Sequence, residues 1–293
     1  NPPYTYWIDW TQLSREGASL TMNGWYLIVL ENNAKLFSWF GHEDDAQVCR
    51  EKAIRLRKTL QDKYWDDEKG LFVETLVHGK QVKTYDEVSN GMALVAGLAD
   101  AAQAKSVARK IAENDKTNEL VKACVLMYWP IEGLFKAGFG DEALEMLKRR
   151  YAPMLQHPEG TIWEQWNLTA TFEGGYWRSR TWGIVQSEPI YQPDVFKRHL
   201  LGVDILEPGM TKLSITAPHA DMESVSGGVP TPFGSVDVSW INGNEPSCEV
   251  VVPSGVTLEI DPENRFKEIN VDGSIASNLE LSGPGNYSIK FRN

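Results

Sequence analysis

The residues best suited to chemistry lie in one short stretch, Gly160-Thr161-Ile162-Trp163-Glu164-Gln165-Trp166-Asn167. Glu164 has an indole on either side in sequence, Trp163 and Trp166, and polar partners in Thr161, Gln165 and Asn167. Indole offers a flat apolar face to the C–H face of a sugar ring, and a carboxylate beside it can take a proton from water. Trp163 and Trp166 are three apart, so on a helical turn they share a face and leave Glu164 beside it. The same pattern also fits a core tryptophan pair with a solvated glutamate between them. The pattern alone leaves both readings open.

Two further stretches carry aromatic and charged residues together. Trp7-Ile8-Asp9-Trp10 follows Pro2-Pro3, which discourages helix, and reads as a loop that delivers Asp9 and Trp10 into a cleft, or as a loop whose aspartate caps the next helix. Thr171 to Gly183 holds Tyr176, Trp177, Arg178, Arg180 and Trp182 among glycines. Other carboxylates that could act as a second acid are Asp9, Glu87, Glu132, Glu173 and Glu188. Asp9 and Glu173 have aromatic company, and the others read as solvated or ion-paired residues. None is assigned as the acid.

Bulk properties exclude several functions. The net charge of -11 over 293 residues, without a Lys/Arg-rich block, disfavours nucleic acid as a partner. No apolar run is long enough to span a membrane. His42, His78, His157, His199 and His219 stand singly and read as surface residues rather than ligands, so neither a metal nor a cofactor is expected. Three distant cysteines, Cys49, Cys124 and Cys248, suggest no disulfide framework. No phosphate loop or Gly-x-Ser-x-Gly elbow occurs.

The elements that must position these residues fall into two groups. Apolar periodicity predicts helices over Ser14–Phe40, Glu43–Tyr64, Asn90–Ala104, Ala104–Glu113, Val121–Ala137 (interrupted at Pro130), Asp141–Tyr151 with Asp141 as its cap, and Pro193–Leu201. Asp66–Gly70 reads as a turn, and a hairpin is predicted around His78-Gly79-Lys80. Small residues in Met92-Ala93-Leu94-Val95-Ala96-Gly97-Leu98 allow close helix contacts, and apolar helices alternate with amphipathic ones as inner and outer pairs would. From Val203 the tryptophan supply nearly stops: ten of the 11 lie at or before Trp182, and only Trp240 lies beyond. Leu213–Thr216, Ser235–Trp240, Glu249–Val252, Thr257–Ile260 and Tyr287–Phe291 alternate with a period of two. The expectation is a helical domain over 1–202 and a β-sandwich over 203–293.

In order along the chain, Trp7-Ile8-Asp9-Trp10, Ser89-Asn90-Gly91-Met92-Ala93-Leu94-Val95-Ala96-Gly97-Leu98, Thr161-Ile162-Trp163-Glu164-Gln165-Trp166 and Gly227-Gly228-Val229-Pro230-Thr231-Pro232-Phe233-Gly234 resemble the C-terminal half of bacterial α-L-rhamnosidases of glycoside hydrolase family 78. That resemblance implies a multi-domain fold, α then β: a partial (α/α)6 toroid followed by an antiparallel β-sandwich. It also implies inverting hydrolysis of terminal α-L-rhamnosides, in which one acid protonates the leaving oxygen. A second carboxylate, ~6.5–9.5 Å away, deprotonates water. By position Glu164 is that general base, and Asp9, Trp10, Trp163, Trp166, Arg180 and Trp182 line the sugar site. The chain departs from the family in two places. The segment carrying the general acid has no match here, so the chain reads as an inactive fragment whose partners are a rhamnoside or oligosaccharide substrate and the missing N-terminal half of the same protein. Ser179-Arg180-Thr181-Trp182 puts an arginine where the family places histidine, which suits a structural ion pair or an acidic sugar such as a uronate. Competing readings are a non-catalytic carbohydrate-binding relative and a toroid enzyme acting on uronic-acid-containing glycans. An extracytoplasmic site, periplasmic or secreted, is expected.

Overall fold

A computed structural model describes residues 14, 16–115, 125–158, 160–163, 190–263, 265–276 and 279–292. The chain divides into two compact units, Asn1–Ile190 and Tyr191–Asn293.

Among the described residues of the first unit, six helices form three hairpins: α1 (Leu20–Trp39) with α2 (Glu43–Tyr64), α3 (Glu87–Val95) with α4 (Ala101–Asp115), and α5 (Tyr128–Lys136) with α6 (Gly140–Gln156). α3 packs against both α1 and α5, so α1, α3 and α5 make one layer, flanked by amphipathic α2, α4 and α6. Each helix of that layer stops in the same way. Gly41, Gly97 and Gly138 follow α1, α3 and α5 at φ 77°, 62° and 79°, a conformation that glycine reaches without a Cβ clash. The next N–H then turns back onto the helix: His42 to the Phe37 carbonyl at 2.8 Å, Leu98 to Ala93 at 2.9 Å and Phe139 to Leu134 at 2.9 Å. Three identical stops produce three similar hairpins.

The layer is tight because glycines sit where its helices cross. A Cβ on Gly24 would lie 2.4 Å from Met92 Cγ, and one on Gly91 would lie 2.4 Å from the Pro130 backbone nitrogen. The close approach falls at Gly91, just ahead of the small-residue stretch Met92–Leu98 singled out in the sequence, and at Gly24 of α1.

Several boundaries differ from the periodicity reading, each for a local reason. α1 begins at Leu20 rather than Ser14, because Ala18–Ser19 (β1) pairs with Thr75–Val77 (β4) and the Ser19 hydroxyl caps the helix. Between these come the short strands β2 (Trp65–Asp66) and β3 (Leu71–Phe72), which flank the predicted turn, and β4 continues into β5 (Lys80–Val82) as the predicted hairpin. The single helix expected over Asn90–Ala104 is broken at Gly97. α4 restarts behind a capping box in which Gln103 N–H donates to Asp100 Oδ1 (2.8 Å) and Asp100 N–H donates to Gln103 Oε1 (3.0 Å). Pro130 does not interrupt α5; it sits in the first turn, where the missing N–H has no intrahelical acceptor to lose. Asp141 lies inside the first turn of α6, and Phe139 holds the cap position.

The second unit starts with α7 (Gln192–His199) and continues as β strands. β6 (Val203–Ile205), β7 (Lys212–Ile215), β11 (Thr257–Ile260) and β14 (Glu280–Ser282) form one sheet in the order β14-β11-β7-β6. β8 (Ser224–Thr231), β9 (Gly234–Ile241), β10 (Ser247–Val252), β12 (Glu268–Val271), β13 (Ser274–Ile275) and β15 (Gly285–Arg292) form the other, in the order β13-β12-β15-β10-β9-β8. β7 and β11 pair in parallel; the other pairings described in this unit are antiparallel. The inward alternate residues of both sheets, among them Leu213, Val238, Val250, Leu258 and Ile289, make one core around Trp240 and Phe291, whose ring centroids are 5.6 Å apart. The Trp240 indole N–H is satisfied by the Leu201 carbonyl at 2.9 Å. No helix among the described residues is long and apolar enough to cross a membrane.

Candidate active site

Of the residues expected at a sugar site, Trp163 alone lies among those the structure describes. Asp9, Trp10, Glu164, Trp166, Arg180 and Trp182 lie outside them. Past α6, Gly160 takes φ 58° and its N–H returns to the His157 carbonyl at 2.9 Å, turning the chain out of the helix. Thr161–Trp163 is irregular rather than helical. Trp163 is 5% exposed and meets His157 edge to face, with centroids 5.5 Å apart. Its buried indole nitrogen has no hydrogen-bond partner. The residue preceding Glu164 is therefore fixed by burial, and an immobile neighbour is what a positioned carboxylate needs.

The structure adds a buried polar group that sequence reasoning passed over, gathered where β2–β5 meet the start of α3. Asp66 is buried and accepts from Lys83 Nζ at 2.7 Å, from the Tyr85 hydroxyl and from the Glu68 N–H at 3.1 Å. The Lys83 bond, then the Tyr85 bond, hold its carboxyl well below the usual carboxylate range. Burial, with the Asp66 bond behind it, pushes the Tyr85 phenol up to about 12. Glu74 is buried too, and burial raises its carboxyl although it accepts from Ser14 N–H. Asn90 ties α3 to β3, with its side chain accepting from Phe72 N–H (2.9 Å) and donating to the Phe72 carbonyl (3.0 Å). Glu87 and Glu132 are 4% and 1% exposed, which excludes the solvated alternative of the solvated-or-ion-paired reading.

Asp86 caps α3, its Oδ1 accepting from Ser89 N–H at 2.7 Å. The residue keeps some exposure, but Oδ2 is sealed without a hydrogen-bond partner. Burial, only partly opposed by the Ser89 bonds, pushes its carboxyl up to about 6. The signal for this cap was present in sequence, an aspartate just ahead of an apolar helical run. A folded-state value above the ordinary ~3.9 means that the folded state holds the proton more tightly. The contribution of Asp86 to stability is then complete below about pH 4 and is lost as pH rises through about 6. Asn keeps the cap and cannot ionise. Urea unfolding should show Asp86→Asn gaining about 1–2 kcal/mol on the parent between about pH 4.5 and pH 7.5. A gain that shrinks with rising pH would contradict the buried-acid reading.

Residues 3–182 match the bacterial alpha-L-rhamnosidase 6 hairpin glycosidase domain. The chain belongs to that family. Its three α1–α6 hairpins and the β unit correspond to the helical and C-terminal β parts of rhamnosidases. An alpha-L-rhamnosidase of Formosa agariphila is 32% identical over 127 residues, covering 40% of this chain and 13% of that protein. The GH78 rhamnosidase of Bacillus sp. GL1 superposes with a TM-score of 0.71 at 20% identity, over 88% of this chain and 28% of that one. The alpha-L-rhamnosidase of Dictyoglumus thermophilum gives 0.69 at 16% identity, over 92% and 32%. At such identities the two superpositions speak for the fold. The chain spans about an eighth of the curated relative and under a third of these two structures.

Proposed function

We propose that the protein to which this chain belongs hydrolyses terminal α-L-rhamnosides with inversion, and that Glu164 is the base that activates water. The observation that carries this reading is the family match over residues 3–182, which includes the Thr161–Trp166 motif with its single carboxylate between indoles. Buried Trp163 supports it, because the backbone entering Glu164 starts from a packed side chain. Asp9, Trp10, Trp166, Arg180 and Trp182 complete the sugar site in this reading.

The acid that protonates the leaving oxygen comes from outside these 293 residues, in keeping with relatives several times longer. The same longer protein supplies a partner for α1. Trp25, Tyr26, Val29, Leu36 and Trp39 are exposed on this helix, while Leu20, Leu27 and Leu30 are buried on its other side. A helix with large apolar residues on opposite sides normally buries both sides. Three hairpins are described where the family has six, so further hairpins of the same polypeptide are the natural cover.

The test is hydrolysis by the full-length protein across a panel of aryl glycosides. The α-L-rhamnoside should be cleaved at least tenfold faster than the α-L-arabinoside, β-D-glucoside or β-D-glucuronide. A preference for the glucuronide would replace rhamnose by a uronic acid and give Arg180 the role of its carboxylate partner.

A further inference from the structure

The layer of α1, α3 and α5 carries an aromatic group far in sequence from the Thr161–Trp166 motif. Trp25 of α1 and Trp129 of α5 stand with ring centroids 5.5 Å apart at 56°, although α3 packs between their helices. Gly91 makes that meeting possible. With no side chain there, the first turn of α5 crosses α3 so closely that a Cβ would lie 2.4 Å from the Pro130 nitrogen and 2.6 Å from the Trp129 carbonyl oxygen. Tyr128 sets its ring edge-on to Trp129, with centroids 4.8 Å apart. Trp25 is nevertheless 47% exposed, and Tyr128 and Trp129 are only partly buried.

Helical geometry says which face these rings share. Trp25 is nine residues from Ala34, half a turn round α1, and Ala34 shares a groove with Ala53 and Ile54 of α2. The rings therefore look away from the outer helices. Val29, Asn32 and Leu36 follow Trp25 at intervals of four, three and four, and extend the same face without a charge. The height along the layer is fixed as well. Thr21 Oγ and Ser89 Oγ, 3.0 Å apart, join the first turns of α1 and α3, and Gly91 meets the first turn of α5. All three helices thus start at one end. α6 runs back to that end beside α5, and Trp163 follows its last residue, Gln156, by seven positions.

We propose that Trp25 and Trp129, braced by Tyr128, bind the leaving group of the rhamnoside substrate through the flat apolar face of a ring, either a sugar or an aryl group. This deepens the rhamnosidase reading and rests on it. A terminal rhamnose ends the substrate on its own side, so ring contacts beyond those of the Glu164 motif fall to the group that rhamnose is attached to. Indole pairs with the C–H face of a sugar and with an aryl ring alike, and an uncharged stripe suits a neutral one. Tyr26, about 200° round from Gly24, points away from α3 and is left for the upstream hairpin. The hairpins that complete the ring of helices enclose the face of Trp25 as a wall of its interior.

Steady-state kinetics of the full-length protein on three α-L-rhamnosides test this: the methyl glycoside, an aryl glycoside and a rhamnosyl-glucose disaccharide. Trp25→Ala should lower kcat/KM about tenfold or more on at least one ring-bearing substrate, and less than about twofold on the methyl glycoside. Loss on the disaccharide alone assigns a sugar to the platform, and loss on the aryl glycoside alone assigns an aromatic group. Trp25→Phe, which keeps a flat face, should recover most of the loss. Equal losses on all three substrates, or none on either ring-bearing one, overturn the proposal. Should Trp25→Ala fail to fold, Trp25→Leu, which keeps apolar bulk without a ring, carries the same expectation. A protein that cleaves no α-L-rhamnoside removes the rhamnosidase reading, and calorimetry with rhamnosyl-glucose then decides the platform separately. Binding weakened about tenfold in Trp25→Ala supports it; equal affinities, or no binding to the parent, overturn it.

Discussion

Glu164→Gln in the full-length enzyme is expected to lower kcat on an aryl α-L-rhamnoside by roughly a thousandfold, with KM changed by less than about threefold. Glutamine has the size of glutamate and can hold the same water, but it cannot take the proton that water must lose as it attacks. A thousandfold loss corresponds to about 4 kcal/mol of transition-state stabilisation, within reach of one general base. In the proposed site the aromatic walls, rather than this carboxylate, grip the sugar, so binding should survive. The acidic limb of the kcat/KM profile should vanish with the group that titrates there. Activity within tenfold of the parent would remove Glu164 from the mechanism and leave the Trp163–Trp166 stretch as packing.

The second large effect is expected at Gly91. Alanine for glycine within a helix ordinarily stabilises by about 1 kcal/mol, through propensity and a less disordered unfolded chain. Here the new methyl would stand 2.4 Å from the Pro130 nitrogen and 2.5 Å from the Trp129 carbonyl carbon. These are backbone atoms, so no rotamer change relieves the contact, and α3 and α5 must separate. Forcing volume into a packed interior costs about 1–3 kcal/mol, and a helix pair held apart along its length belongs at the upper end. Gly91→Ala should therefore lower the melting temperature of the chain by roughly 6–12 °C. An unchanged or raised melting temperature would mean that α3 and α5 do not touch as described.

Much of this architecture was legible in the sequence. α2 was readable to its ends, but not in its phase: Val48 and Ile54, apolar residues read as inward, are exposed, while Ala46, Ala53 and Leu60 are buried. β9 and β10 were plain from period-two alternation. The break at Gly97 was hidden because alanine and leucine continue on both sides of it, and periodicity does not record φ. Burial of acids was hidden for another reason. Glu87 and Glu132 sit on helices that look half-polar, and only the packing of α3 on α5 shows that both are inside. His199 and His219 read as single residues because 20 positions separate them; the fold closes that interval to a 2.9 Å contact. At the sugar site the sequence supplied the motif and the comparison supplied the family. The geometry contributed Trp163, buried beside His157, and, elsewhere in the unit, the polar group from Asp66 to Asn90 that anchors the start of α3.

Proton NMR of a fresh reaction bears most directly on Glu164 as a base acting on water. With full-length protein and an aryl α-L-rhamnoside, the first sugar released should be β-L-rhamnose, appearing before mutarotation brings in the α anomer. β-L-Rhamnose first, with its release abolished in Glu164→Gln, is the expected result. α-L-Rhamnose first would mean a covalent intermediate and a nucleophilic carboxylate in place of a water-activating one, and would contradict the role given to Glu164.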